Sequence, residues 1–521
     1  MSFRITYSVV DADMGELNRE FDATVAKVRE ELGGTFPSWI GGEPVESGSF
    51  LESRPPFETH TLLARFHTAT EQDVDRAVGV AKKAQVEWAR TPWKERARLI
   101  HAAADLISER RMKLSAVATF EVGKNRMESL GDVEEAADLF RYYAQQLTDA
   151  NGLSQPLGKL SPNEDTRDVL RPYGVFGVIA PFNFPVALSA GMSGAAMLAG
   201  NAVILKPAES TPWCAQLLYE CVRDAGIPAG VFQVLHGSGE TVGKALSNHP
   251  GLDGVAFTGS SEVGMELFRI MSSNGRIRPC LMEMGGKNGA IVTESANLDD
   301  AVEGCARSAF GLSGQKCSAL SRIYVHRSKY DAFVEKLGAR AKAIVVGDPT
   351  RNEVFMGPVI DTAAVKRFED AVAQAKADGK IIAGGERLSG GTYDHGTFVA
   401  PTVVTLPAKH PLNRKELFLP FVTVAPFDTL DEALELLNDA DHGLTAGIFS
   451  AREADVETFM DRAEAGILYA NRKTGATTGA WPGVQSFCGW KASGSTGKGG
   501  CGPYYLAQFA REQSQTRMIA S

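Results

Sequence analysis

A single cysteine, Cys317, stands among small and polar residues in SGQKCSALS (313–321). Its thiolate could serve as a nucleophile, although a cysteine buried as a small hydrophobe is commonly inert. Upstream, LMEMGGKN (281–288) sets Glu283 between two methionines. A carboxyl in apolar surroundings has a raised pKa and suits a general base near neutral pH. On an exposed edge strand the same residue would be a solvated acid. Gly285–Gly286 would let the backbone come close to a ligand or another chain. VAFTGSSEVG (255–264) runs from an apolar strand through Gly259 and Ser260 into a helix containing Gly264. Free N–H groups at such a helix start can hold a pyrophosphate. GSGETVG (237–243) comes nearer the dinucleotide fingerprint but spaces its last glycine one residue too far. In ILKPAES (204–210), Lys206 ends an apolar strand, Pro207 stops it, and Glu209 sits where a ribose could be met.

The elements that must position these residues belong to a large globular chain. Its 521 residues exceed one ordinary core and predict two or three domains. Net charge −9 gives no basic footprint for nucleic acid or an anionic membrane. No apolar run is long enough to span a bilayer. The opening MSFRITYSVVDADMGELNRE lacks the apolar core of a secretion leader. An odd seven cysteines without paired spacing fit a reducing, cytoplasmic setting better than a disulfide framework. Histidines are scattered, no CxxC occurs, and no metal site is expected.

The N-terminal third reads as helical. Leu17, Phe21, Val25, Val28 and Leu32 recur at helical steps until Gly33–Gly34. Thr70 with Asp73 resembles a capping box, and 132–147 reads as an amphipathic helix. Residues 151–174 are rich in turn formers and read as an extended hairpin leaving the domain body. From residue 174 short apolar strands (GVFGVIA, AVILK, GVFQVL, GVAFTGS) alternate with helical stretches at 187–199, 211–225 and 239–247. A second such series follows Cys317. This alternation predicts parallel sheets covered by helices, with ligands at the carboxyl ends of the strands.

PFNFP (181–185), LKPAES, FTGSSEVG, LMEMGGKN, GQKCSA and ELFLPF (416–421) occur in an order and spacing that resembles the aldehyde dehydrogenase superfamily. The likeness runs from about residue 40 to the C-terminus. It implies an α/β fold with a Rossmann-like NAD domain (1–150 and 172–284) and a catalytic domain (285–485). A projecting β-hairpin and C-terminal segment (151–171 and 500–521) would serve assembly into a homodimer or higher homo-oligomer. It further implies that Cys317 is the nucleophile toward an aldehyde and Glu283 the base that activates water. Asn183 and the Cys317 N–H would hold the oxyanion. Lys206, Glu209, Gly259, Ser260, Gly264, Glu416 and Phe418 would meet NAD. Glu209 would disfavour the phosphate of NADP by like charge.

The stretches GQKCSALSRIYV, LYANRKTGA (468–476), GVQSFCGWKASGSTGK (483–498) and GPYYLAQF (502–509) look like the 1-pyrroline-5-carboxylate dehydrogenase branch. That branch oxidises L-glutamate γ-semialdehyde in proline catabolism. The likeness implies a carboxylate anchor at Ser318 and the N–H groups of Cys501 and Gly502. Phe184 and Phe509 would pack on the aliphatic chain, with Glu135 facing the amino group. The chain departs from the branch at Cys488 and Cys501, where glycine is usual, and a side chain at Cys501 would narrow or reshape the pocket. The alternative is a broad-specificity enzyme for aromatic or aliphatic aldehydes, its pocket lined by Tyr504 and Tyr505. Retention of Cys317 and Glu283 argues against a non-catalytic relative, and Glu283 against transfer of the acyl group to coenzyme A.

Overall fold

A computed structural model describes residue 6, residues 14–273 and residues 275–519; most of the opening stretch read above for a leader lies outside the described residues. Two seven-stranded sheets carry the chain. In the first, the strands Cys280–Glu283, Gly254–Thr258, Val175–Ile179, Ala202–Lys206 and Phe232–Val234 lie side by side and parallel. Ser38–Ile40 and Glu43–Val45 then extend it antiparallel. Its central strands are buried along nearly their whole length because helices cover both faces, so they show no alternation.

The second sheet runs in the order Lys380–Ala383, Thr402–Thr405, Phe421–Phe427, Leu320–His326, Asn288–Val292, Thr445–Phe449 and Ile467–Ala470. All its pairings are parallel except that of the Lys380–Ala383 edge. The connection between the sheets is short: the first ends at Glu283 and the second begins at Asn288.

The expected capping box is present. Thr70 Oγ1 accepts the Asp73 N–H, and the Asp73 carboxylate accepts the Thr70 N–H, at the start of the helix Glu71–Arg90. Such a cap contributes about 1 kcal/mol. The helix expected at 132–147 is longer, Arg126–Asp149, and opens at an Asn125 cap. It is buried on most of its circumference rather than amphipathic, because the helices Trp93–Glu109 and Ala187–Leu198 pack on it from two sides. Residues 239–247 begin as a π-turn, Gly239–Gly243, and continue as a short α-helix, Lys244–Asn248.

The turn-rich segment at 151–174 forms two antiparallel strands, Ser154–Pro156 and Glu164–Pro172. A third strand, Ala510–Met518, pairs along the whole of Glu164–Pro172. That last strand is illegible in the sequence. AREQSQTRM exposes nearly every side chain, so no apolar alternation marks it. Among the described residues no helix is long and apolar enough to cross a membrane, and no cluster of His, Cys, Asp or Glu could hold a metal ion.

Candidate active site

The carboxyl ends of four adjacent strands in the first sheet present most of the singled-out residues. Glu283 is level with Thr258, Phe257 with Ile179, and Ile179 with Lys206. Just beyond these ends lie Gly259–Ser260, Asn183 and Glu209. The second sheet meets them with its amino ends. Cys317 lies just before the strand Leu320–His326, and Glu416 just before Phe421–Phe427. The site is therefore the seam between the two sheets.

Cys317 is locked into that seam by its backbone. Asn288 Nδ2 donates to the carbonyls of Cys317 and Ala319, at 2.7 and 2.9 Å. Before it, Leu312, Ser313 and Gly314 are all left-handed, with φ of 49°, 54° and 67°. A side chain on Gly314 would lie 2.1 Å from the Leu419 carbonyl. The small neighbours thus answer two needs: Gly314 permits a tight backbone turn, while Ser318 lines a cavity beside Cys317. Cys317 itself is partly open to that cavity. Burial, with the nearby Glu416 and Glu283 carboxyls, pushes its thiol up to about 12. A thiol held this high would have to lose its proton before it could attack an electrophile.

Glu283 ends an edge strand, yet it is not a solvated acid. The later segment around Ser493–Ser495 covers this edge through Met284 N–H to Ser493 O, Ser495 N–H to Met282 O, and a bridge between Glu283 and Gly494. Glu283 Oε2 is enclosed without a hydrogen-bond partner among the described residues. Burial holds the carboxyl well above its ordinary range, opposed by the Gly489 N–H. Asn183 is buried, and its amide donates to the Gln315 carbonyl at 2.9 Å. An amide has a second N–H to give.

On the cofactor side, Lys206 is buried and its ammonium donates to the Pro207 carbonyl at 2.9 Å. Burial lowers its pKa to about 8, with Glu209 pulling it back up. Glu209 Oε1 accepts the Gly239 N–H at 2.8 Å. The GSGETVG turn therefore orients Glu209, although its glycine spacing fails the fingerprint. Ser260 caps the helix Ser261–Met271 by accepting the Val263 N–H at 3.3 Å. Gly264, expected at the cofactor, is closely packed: a Cβ there would lie 2.5 Å from Met284 Sδ. Gly259 is also constrained by packing, because its Cβ would strike the Phe257 ring at 2.4 Å.

Glu416 accepts the Gly286 N–H at 2.9 Å, and burial lifts its carboxyl to about 7. A Cβ on Gly285 would lie 2.0 Å from Glu416 Oε2, and one on Gly286 2.2 Å from the Cys317 carbonyl. The close approach predicted at this glycine pair is thus made by the chain's own site. Phe418 is left-handed and stands edge-on to Phe182, with ring centres 5.8 Å apart. These groups fit a nicotinamide dinucleotide. Lys206 has N–H groups beyond the one used by Pro207, Glu209 offers a carboxyl oxygen, and Ser260 heads an exposed helix turn.

A mostly apolar cavity opens beside Cys317 and Glu283. Glu135, Phe184, Ser318 and Cys501, all expected at the substrate, line it together. Phe184 is fixed from behind. Lys124 lies over its ring at 4.5 Å and forms a fully buried ion pair with Asp132, whose other oxygen accepts the Ala187 N–H.

Two residues expected at the substrate do not line this cavity. Phe509 does not line the cavity; it is fully buried between Tyr505 and Phe176, at 5.2 and 5.1 Å between ring centres. Gly502 lies behind the loop against Ser486, its carbonyl bonded to Gln146. The loop residues at the cavity are Gly500 and Cys501. Of the aromatic pair named for the broad-specificity reading, Tyr505 lines the cavity and Tyr504 is exposed. Cys488 packs away from it, its thiol donating to the Gly466 carbonyl at 3.2 Å. Sequence reasoning missed Leu139, Tyr143, Met192 and Phe487 at the cavity. Glu135, Leu139 and Tyr143 recur every fourth residue on one helix, a stripe visible in the sequence, of which only Glu135 was expected at the substrate.

The aldehyde dehydrogenase family matches residues 44–514 of this chain. The protein named 1-pyrroline-5-carboxylate dehydrogenase 1 from Halalkalibacterium halodurans is 35% identical over 509 residues, spanning 96% of this chain and 97% of that one. The 1-pyrroline-5-carboxylate dehydrogenase of Geobacillus kaustophilus is 35% identical over 511 residues, 97% of each chain. Among solved structures, the Thermus 1-pyrroline-5-carboxylate dehydrogenase with bound NAD is similar at TM-score 0.93 and 34% identity, covering 100% of this chain and 99% of that one. The betaine aldehyde dehydrogenase of Staphylococcus aureus in complex with NAD+ is similar at TM-score 0.89 and 27% identity, covering 96% and 98%.

Proposed function

Because this chain belongs to the aldehyde dehydrogenase family and uses NAD to oxidise an aldehyde, we propose that its substrate is L-glutamate γ-semialdehyde and its product L-glutamate. The observation that carries this reading is end-to-end similarity to relatives of that named activity. A cavity in which Glu135, Phe184, Ser318 and Cys501 meet Cys317 supports it.

Cys317 Sγ adds to the aldehyde carbon, and its thiol proton passes to Glu283, directly or through water. The Asn183 amide and the Cys317 N–H hold the resulting oxyanion of the thiohemiacetal. NAD, when bound, supplies the acceptor for the hydride that leaves the reacting carbon. The carbonyl re-forms as a thioester on Cys317. Glu283, having given up its first proton, takes one from water. The water oxygen bonds to the acyl carbon, the C–S bond breaks, and the acid departs. Lys206 and Glu209 orient one ribose of NAD, Glu416 the other, and Ser260 the pyrophosphate; Phe418 borders the nicotinamide.

The NAD domain comprises 1–150 and 172–284, and the catalytic domain 285–485. The hairpin at 151–171 with the segment 500–521 joins copies into a homo-oligomer. Seven free thiols support a reducing, cytoplasmic setting.

Cofactor choice tests Glu209. The wild type is expected to prefer NAD over NADP, and Glu209→Ser to narrow the ratio of the two kcat/KM values by about tenfold or more, since a like charge is removed. Wild-type use of NADP as readily as NAD would remove that role from Glu209.

A second reading, a broad-specificity enzyme, is favoured by the apolar wall and by Tyr505 within it. Comparing kcat/KM for L-glutamate γ-semialdehyde, benzaldehyde and hexanal decides between the two. The semialdehyde is expected to lead, and Ser318→Ala to weaken competitive inhibition by glutamate by about 1–3 kcal/mol, the loss of one hydrogen bond to a charged group. Preference for hexanal or benzaldehyde would install the second reading.

A further inference from the structure

The loop expected to offer its backbone N–H groups to a substrate carboxylate has already committed one of them. The Cys501 N–H donates to the hydroxyl oxygen of Tyr143 at 3.0 Å. A phenol that accepts one hydrogen bond still has its own proton to donate. Among the described residues no hydrogen bond takes up that proton.

Tyr143 is fully buried, yet it lines the cavity that contains Cys317. The rings of Tyr505 and Tyr142 hold its ring, with centres 5.5 and 5.8 Å away. The hydroxyl can therefore turn only about its C–O bond. Burial and the neighbouring Cys501, Tyr505 and Glu135 keep the phenol protonated far above neutral pH. Cys501 holds the left-handed conformation, φ 62°, that aims its N–H at this oxygen. Its thiol meets Glu135 Oε1 at 3.9 Å, so one loop residue ties together both polar groups of the helix stripe.

We propose that the Tyr143 hydroxyl is the specificity-determining donor for the carboxylate at the far end of the aldehyde, acting with Ser318 in place of the committed Cys501 N–H. The inference rests on the glutamate semialdehyde reading. It gives each end of an amino-acid head group its own partner: neutral O–H donors for the carboxylate and Glu135 for the ammonium. A carboxylate held by neutral donors in an apolar cavity needs every one of them, because each lost bond leaves charge uncompensated.

Tyr143→Phe removes one oxygen and keeps the ring. The expected result is a KM for the semialdehyde raised about tenfold or more with kcat within about twofold, and glutamate binding weakened by the same factor. The KM for pentanal, which has no carboxylate, should stay within about twofold of wild type. Equal losses toward both aldehydes would mean that Tyr143 only supports the loop, and would overturn the proposal. A second variant carries 3-fluorotyrosine at position 143, which fills the same space with a stronger O–H donor. It should bind glutamate more tightly, and unchanged affinity would count against the proposal even if Tyr143→Phe did not fold. If wild type binds glutamate and Tyr143→Phe binds it equally well, the role of Tyr143 alone falls. If wild type binds no glutamate and prefers pentanal, the substrate reading falls and takes this role with it.

Discussion

Cys317→Ala is expected to lose NADH formation with every aldehyde, by about three orders of magnitude or more, because the covalent step has no substitute atom. NAD binding should remain close to wild type. The proposed cofactor contacts Lys206, Glu209 and Ser260 sit at the ends of the first sheet, while Cys317 is held from the second by Asn288. The substitution shortens a side chain without disturbing the left-handed turn that precedes it. Titration of NAD alongside steady-state turnover makes the test. Turnover at even a tenth of wild type would reassign the nucleophile, and none of the other thiols is well placed to inherit the role. Cys214, Cys221, Cys280 and Cys305 are buried away from the cavity, Cys488 packs on Gly466, and Cys501 faces Glu135.

Glu283→Gln should separate the two halves of the reaction. Size is retained and only the base is lost, so the acyl-enzyme should accumulate while steady turnover falls by about two to four orders of magnitude. Intact mass after mixing with aldehyde and NAD reads the adduct directly. The pH dependence supplies an independent signature. Burial raises the Glu283 carboxyl, so at low pH it is protonated and cannot accept a proton from water. The fraction able to act as base grows as pH rises toward its folded-state pKa, and thioester hydrolysis in the wild type should accelerate with it. In Glu283→Gln that dependence should vanish. A variant that hydrolyses its thioester at the wild-type rate would place the base elsewhere.

How much of this was legible in the sequence depended on whether a residue's partners were local. The capping box at Thr70 and the strands around Lys206 and Thr258 follow from short-range patterns, and they fold as read. The grouping of Cys317 with Glu283 came from resemblance, because no periodicity joins two residues on different sheets. The pocket wall was the least legible part. Phe509 and Tyr505 lie close together in the chain, and only the helix packing turns Tyr505 to the cavity and Phe509 into the core. Glu283 presented a similar difficulty. An edge strand predicts exposure, and the cover that defeats it arrives from Ser493–Ser495, far along the chain. The strand Ala510–Met518 has no apolar code at all, since its order comes from pairing with Glu164–Pro172.

The cavity wall combines Leu139 and Phe184 from early in the chain with Phe487, Cys501 and Tyr505 near its end. A chain emerging from the ribosome folds its early segments first. The apolar faces of Leu139, Phe184 and Met192 are consequently uncovered until the closing stretch is translated. The same late stretch brings the Ser493–Ser495 cover for the Glu283 strand edge and the pairing partner of Glu164–Pro172. Until residues 487–518 are made, the earlier part of the chain is expected to present an open strand edge and an uncovered apolar pocket wall.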